Sequence, residues 1–443
     1  MSITAGHDVL RDPPADDALE SVVFRKVAIR LIPFLFLLYV VNILDRNNVG
    51  FARLRMWDDL GLSEFVFSFG AGVFYVGYSL FQVPSNLILH WMGARRWIGW
   101  IIISWGVISA CLLFVWNDWS FYALRIMLGM AQAGFFPGMI LYISYWFPAQ
   151  ARSRAVAFFM MGSPVAGLLG GPLSGALLQY TNGLGGLAGW QWMFLVEGLP
   201  AVVLGIVAWF YLTDRPEQAR WLPSTEREWL SARMTREERS RERRHGLSGL
   251  RAMADYRVWL LTSLYFTLAM GSNAFGVYLP KILDDQFAGT QGFKLGLLTA
   301  LPYLAAVIAM FLVGAHSDRT GERRWHVGLS AFVSATGWFL SAYLQTPWLV
   351  LLALTLAQVG MMSMMGPFWS MATSFLSGAG AAGGIAVINT VANLGGFVAP
   401  NIFGALKKGS GDFSGGELAM ALTLLIGGII ALVVRHDPAA ERG

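Results

Sequence analysis

Charge and cysteine are both scarce in this sequence. Charged residues make up only 13% of the 443, cysteine occurs once, and hydrophobic residues reach 56% with a mean hydropathy of +0.54. Soluble globular chains carry about 25% charged residues, so the composition excludes a water-soluble enzyme or binding domain and indicates an integral membrane protein. The lone Cys111 lies in an apolar run, which rules out an intramolecular disulfide and reads as a core position. The six histidines, at 7, 90, 245, 316, 326 and 436, fall on tails and loop ends without metal-ligand spacing. With no nucleophile and base in a recognisable arrangement and no room for a soluble catalytic domain, an enzyme or receptor is the weaker reading, and no cofactor or metal is expected. The first 24 residues mix both charge signs, contain Pro13 and Pro14, and lack the basic-then-apolar plan of a signal peptide. They read as a disordered tail.

Long apolar runs take the place of charge. At about 20 residues per span, candidates stand at 28–50, 65–89, 97–116, 121–146, 155–180, 192–212, 257–283, 295–316, 326–344, 348–369, 380–405 and 417–434. The one long polar segment, 213–256, contains TREERSRERRHG and is too charged to enter lipid. It divides the spans six and six.

Two motifs repeat at one offset. HWMGARRW (90–97) follows the second span and DRTGERRW (318–325) follows the eighth, which aligns Gly93, Arg95, Arg96 and Trp97 with Gly321, Arg323, Arg324 and Trp325, 228 residues later. The same offset aligns Pro172 with Pro400. Two motifs in one register point to homologous halves. The expected organisation is a tail at 1–24, a six-helix bundle at 25–212, a linker at 213–256, a second bundle at 257–436 and a tail at 437–443. The fold class is all-α integral membrane, with twelve transmembrane helices in two pseudo-symmetric six-helix bundles. With the amino terminus inside, about 24 of the 32 Lys and Arg fall in the tails, the inward loops and the linker. That bias places both termini and the linker in the cytoplasm.

GAHSDRTGERR (314–324) matches the Gly-x-x-x-Asp-Arg-x-Gly-x-Arg-Arg signature of the major facilitator superfamily, in the loop between spans eight and nine where its second copy belongs. The chain resembles that superfamily. LDRNNVGFA (44–52), FQVPSNLILHWMGARRW (81–97), RIMLGMAQAGFFPG (125–138), YWFPAQARSRA (145–155), LPKIL (279–283) and GPFWSMATSFLSGAGAAGGIAVINTVANLGGFVAP (366–400) resemble its anion:cation symporter branch, which includes sugar-acid, tartrate and aromatic-acid permeases. The resemblance covers residues 25 to 435. It implies a secondary transporter of a bacterial plasma membrane that imports a small organic anion with protons by alternating access. Such a protein is expected to work as a monomer in the lipid bilayer, with no nucleic-acid partner. A proton-independent facilitator or exchanger and a drug or cation exporter stay open as alternatives.

Charges within spans carry the most information, because each costs about 3 kcal/mol or more at mid-bilayer. Asp45 and Arg46 lie on span one, Arg125 on span four, and Glu197 near the start of span six, where it reads as an interfacial cap beside Trp190 and Trp192. Adjacent helical residues point about 100° apart, so Asp45 and Arg46 have separate roles. Arg46 suits a substrate carboxylate, since guanidinium is always charged and presents a fork. Asp45 pairs with Arg125 when ionised, or carries the coupling proton when the cavity is dry. A buried structural ion pair is the competing reading.

Gln132 lies seven residues, and so two turns, after Arg125 on the same face. It departs from the branch pattern, in which Arg-x-x-Leu-Gly-x-Ala-Glu-Ala supplies a glutamate as a second protonatable group. An amide takes up no proton. That leaves Asp45 as the one cavity carboxyl able to carry a proton, or lowers the stoichiometry, or marks a variant that binds substrate without moving it well.

The resemblance also places Tyr78, Gln82, Asn273, Trp369, Asn389 and Asn393 in the cavity. Tyr78 with Gln82, and Asn389 with Asn393, are four apart and share a helix face. Each is a hydrogen-bonding ligand group or, equally, helix-to-helix glue. Asp318 with Arg319, Arg323 and Arg324, and His90 with Arg95 and Arg96, form candidate latches at the inward helix ends, His90 standing where the acid stands in the second half. A solvated basic loop that serves topology alone is the bland alternative.

Overall fold

The computed structural model describes residues 14–244, 255–375 and 379–434, and the tail expected at 437–443 lies outside them. Every regular element among the described residues is helical. The first helix, α1 (Pro14–Leu60), already contains residues 14–24, which the sequence assigned to a disordered tail. Val23 is fully buried, Phe24 packs its ring 5.8 Å from Trp229, and Lys26 pairs with Glu226 at 2.5 Å. This amphipathic stretch is too polar to register as a span, and its packing partner is about 200 residues away on α9 (Ser224–Arg244), a helix within the polar linker.

The first bundle continues with α2 (Glu64–Met92), α3 (Ala94–Cys111), α4 (Asp118–Gln132), α5 (Phe135–Trp146), α6 (Ala149–Met160), α7 (Gly162–Tyr180) and α8 (Gly189–Tyr211). Local chemistry sets the ends. Ser63 accepts from the Val66 amide to cap α2, and Asn117 and Ser120 form a capping box at α4. The α4–α5 and α6–α7 pairs are single passes, broken at residues 133–134 and 161. The second bundle holds α10 (Tyr256–Gln286), α11 (Phe293–Thr320), α12 (Arg324–Tyr343), α13 (Pro347–Phe375), α14 (Ala379–Asn393), α15 (Gly395–Ser410) and α16 (Ser414–Val433), with α14 and α15 sharing one pass.

Among the described residues, 10 helical segments are long and apolar enough to cross a membrane. The passes made by α12 and by α14–α15 fall outside that set. In α12 the apolar character is diluted by serines that are buried and bonded: Ser334 is fully buried and its Oγ donates to the Ala357 carbonyl at 2.8 Å. Large apolar side chains such as Leu80, Phe210, Leu312 and Leu352 face outward, as a lipid-facing surface requires. The repeat is visible in the backbone. Gly93, between α2 and α3, and Gly321, between α11 and α12, both adopt positive φ (88° and 68°), a conformation side chains resist.

Small residues join the bundles. On α7, Gly171 lies against Gly296 and Thr299 of α11, and Gly175 lies against Gly292; on α15, Gly396 packs on the Tyr75 ring and Gly404 on Ser68. An added Cβ at any of these would overlap its neighbour, so the glycines permit the approach. Bonds follow the same seam: Gln179 Oε1 accepts from the Phe293 amide (3.0 Å), Arg55 Nη2 donates to Gln291 Oε1 (2.5 Å), Lys407 pairs with Glu64 (3.5 Å), Ser68 Oγ meets the Tyr278 hydroxyl (2.8 Å), and the Tyr75 hydroxyl donates to Asn273 Oδ1. This seam lies in the half of the molecule that carries loops 61–63 and 287–292, away from α9. The bundles are closed at that end.

Candidate functional site

Asp45 and Arg46 sit past the middle of α1 and diverge as adjacent helical residues must. Arg46 turns toward α2 and α4. Its Nη2 donates to Gln132 Oε1 at 3.4 Å, its Cζ stands 5.1 Å from the Tyr78 ring centre and 5.3 Å from that of Phe74, and its Nε has no hydrogen-bond partner. Arg125, only 1% exposed, donates from Nε to the Gly70 carbonyl (3.2 Å) and from Nη2 to the Ala71 carbonyl (3.3 Å). Its Cζ lies 5.0 Å from the same Phe74 ring, and its Nη1 is unpartnered. No described carboxylate pairs with either guanidinium.

The expected Asp45–Arg125 pair is therefore not formed. Asp45 enters the interior of the first bundle, fully buried, and Oδ1 accepts from Ser109 Oγ of α3 at 2.9 Å while Oδ2 has no partner. Helix rotation explains the correction: Arg46 and Gln132 share the face of Arg125, and Asp45 points elsewhere. Glu197 also differs from expectation. It is 4% exposed within α8, not an interfacial cap; Oε1 accepts from Ser174 Oγ at 2.7 Å and Oε2 is open.

Across the seam, Asn273 accepts from the Tyr75 hydroxyl and donates to the Ala269 carbonyl at 2.7 Å, and Thr390 Oγ1 donates to Gln82 Oε1 at 3.0 Å. Trp369 meets Tyr265 edge to face (5.1 Å), and its indole N–H is unpartnered. Tyr265, which carried no signal in the sequence, lies within electrostatic reach of Arg46, Tyr39 and Tyr78. Asn393 does not join the set through its amide N–H, which donates to the Asn389 carbonyl one turn back (2.7 Å).

At the linker end, Arg323 Nη1 donates to Asp318 Oδ1 (2.6 Å) and Ser317 Oγ (3.0 Å), joining α11 to α12. Arg319 lies in the last turn of α11, and Arg324 stands 5.9 Å from the Trp325 ring centre. In the first half the acid comes from outside the motif: Asp214, just after α8, accepts from the Arg95 amide (2.8 Å) and pairs with its side chain (3.7 Å). Arg96 is exposed, and the His90 side chain lies outside the described residues. His316 Nδ1 and His326 Nε2, ten residues apart in sequence, share a hydrogen bond at 2.7 Å. Among the described residues no group of three or more His, Cys, Asp or Glu could hold a metal.

The family model described as Major Facilitator Superfamily matches residues 35–400. The chain belongs to the major facilitator superfamily. A protein of Agrobacterium vitis named "Putative tartrate transporter" is 48% identical over 423 residues, covering 95% of this chain and 93% of that protein. The quinolone resistance transporter of Acinetobacter baumannii is 37% identical over 415 residues, covering 94% and 95%. The inward open conformation of the xylose transporter XylE from E. coli superimposes with a TM-score of 0.74 at 15% identity, over 91% of this chain and 95% of that one, and shares the fold. As a member of the superfamily, this chain is a multi-pass membrane transporter and not an enzyme.

Proposed function

We propose that the chain imports a small hydroxylated dicarboxylate, tartrate foremost, together with protons. The observation that carries this reading is the pair of guanidiniums, Arg46 and Arg125, standing over one ring without a carboxylate between them. Two uncompensated cations are costly inside a membrane protein, and a dianion with two separated carboxylates completes them through charge-assisted bonds. Tyr78, Gln132 and Gln82 supply partners for hydroxyl groups, and Trp369 with Tyr265 supplies a flat wall. The tartrate name of the 48% identical relative agrees with this chemistry.

With the basic linker in the cytoplasm of a bacterial inner membrane, the closed end faces outward, and transport rocks the bundles about the Gly171–Gly296 seam. Asp45 carries a proton. Uptake of labelled tartrate into proteoliposomes, with and without an inward proton gradient, tests this: accumulation that depends on the gradient is expected, and identical uptake in both leaves a facilitator or exchanger. A second reading, export of an aromatic acid, is favoured by the Tyr265, Phe368 and Trp369 rings, whose centres lie 4.9 to 5.3 Å apart. Displacement of bound tartrate by aromatic acids separates the two.

A further inference from the structure

Glu197 takes no part in the anion site, yet it is one of the most deeply buried charged-type residues of the first bundle, with one oxygen bonded and one open. Three observations meet there. Asp45 lies within electrostatic reach of it and has the same pattern, one hydroxyl donor on Oδ1 and an open Oδ2. Asn48, one turn on from Asp45, is 1% exposed and brings its side chain against Glu197. Finally, Asn48 and Ser174 line a cavity of about 30 Å³, together with Leu44 and Gly171 of the first bundle and Gly276 and Thr299 of the second. That is room for one or two waters.

No described cation balances these carboxyls. Against α8, helix α1 presents Asp45 and Asn48, α3 presents Ser109 and Trp105, and α7 presents Ser174. Four other charged residues of α1 and α3 have their partners elsewhere, and Arg96 of α3 is exposed. Arg46 faces Gln132, Arg53 holds both oxygens of Glu64 (2.7 and 2.5 Å), Asp59 accepts from the Trp190 indole, and Arg95 pairs with Asp214 at the linker end. Charge balance away from water then has to come from protons.

We propose that Glu197 is a second proton-binding carboxyl that works with Asp45, and that the α7–α11 seam controls its access to outside water. The cavity walls come from both bundles, so separating Gly171 from Gly296 opens it, wets Asn48 and Ser174, and lets Glu197 take a proton from water on Oε2. Closing the seam seals that route; once the opposite side hydrates, Asp45 releases its proton, and its emptied Oδ2 is then the neighbouring acceptor for the proton of Glu197. The site supplies the second protonatable group that Gln132 cannot. This rests on the symport reading above.

The test uses purified full-length protein in proteoliposomes and reads the number of protons moved per tartrate from the tartrate accumulation ratio reached at a fixed inward pH gradient with the membrane potential held at zero, because tartrate dianion moving with two protons carries no net charge. Two are expected for the wild type, one for Glu197→Gln and two again for Glu197→Asp, with melting curves confirming that each variant is folded. Gradient-independent uptake by the wild type overturns the symport reading and this inference with it. Gradient-driven uptake whose stoichiometry is the same in wild type and Glu197→Gln, or a Glu197→Asp variant that fails to restore two, overturns the assignment of Glu197 alone.

Discussion

Arg46 of α1 and Arg125 of α4 bring their guanidiniums over one aromatic ring, Phe74 of α2, at 5.3 and 5.0 Å. Cation–π attraction to this ring offsets part of the repulsion between them. The carbonyls of Gly70 and Ala71 hold Arg125 in place. Residue 132 sets the local charge: Gln132 accepts from Arg46 through a neutral oxygen, so it neutralises neither guanidinium.

Arg46→Lys keeps the charge and loses the fork. A hydrogen bond to a charged group contributes about 1.5–3 kcal/mol, so tartrate binding by the lysine variant is expected to weaken roughly 10- to 100-fold in calorimetric titration. An unchanged affinity would show that Arg46 does not hold the carboxylate.

Gln132→Glu places a carboxylate against Arg46. At neutral pH it competes with the substrate for the guanidinium, and tartrate binding is expected to weaken and to recover as the pH is lowered and the new acid is protonated. Binding measured from pH 5 to 8 in both proteins reads this directly; parallel pH profiles would contradict it.

Much of the fold was legible because its signals are local. The positive-φ turns at Gly93 and Gly321 lie within the repeated motif, and the aligned Pro172 and Pro400 fall in α7 and α15, the helices whose glycines make close contacts with α11 and α2. Polar partners chosen across the fold were not legible. Neither spacing nor composition shows that Asp45 meets Ser109, that Arg95 takes its acid from Asp214, or that Glu197 is buried with Ser174. Each depends on helix rotation and on a residue between 23 and 119 positions away. Tyr265 lacked any signal beyond an aromatic residue in a span.

Asp45→Asn retains an oxygen for Ser109 and loses the proton. The variant is expected to fold normally, to keep measurable tartrate counterflow, and to lose accumulation driven by a proton gradient. Loss of tartrate binding itself would assign Asp45 to the ligand.

Gly171→Val forces a side chain into the Gly296 backbone. Overpacking of about 1–3 kcal/mol, felt only when that end is closed, shifts the population toward the open end roughly 5- to 150-fold. A cysteine placed at Asn47, which lines the seam cavity, in a Cys111→Ser background reports this through faster labelling by an impermeant maleimide from that side. Equal labelling rates with Gly and Val at 171 would contradict the role of the seam.

Equilibrium binding of tartrate and of its uncharged dimethyl ester to the purified protein tests the anion site most directly. Saturable tartrate binding, no measurable binding of the ester, and loss of tartrate binding in Arg46→Ala are expected. Equal binding of acid and ester, or tartrate binding that survives Arg46→Ala undiminished, would contradict it.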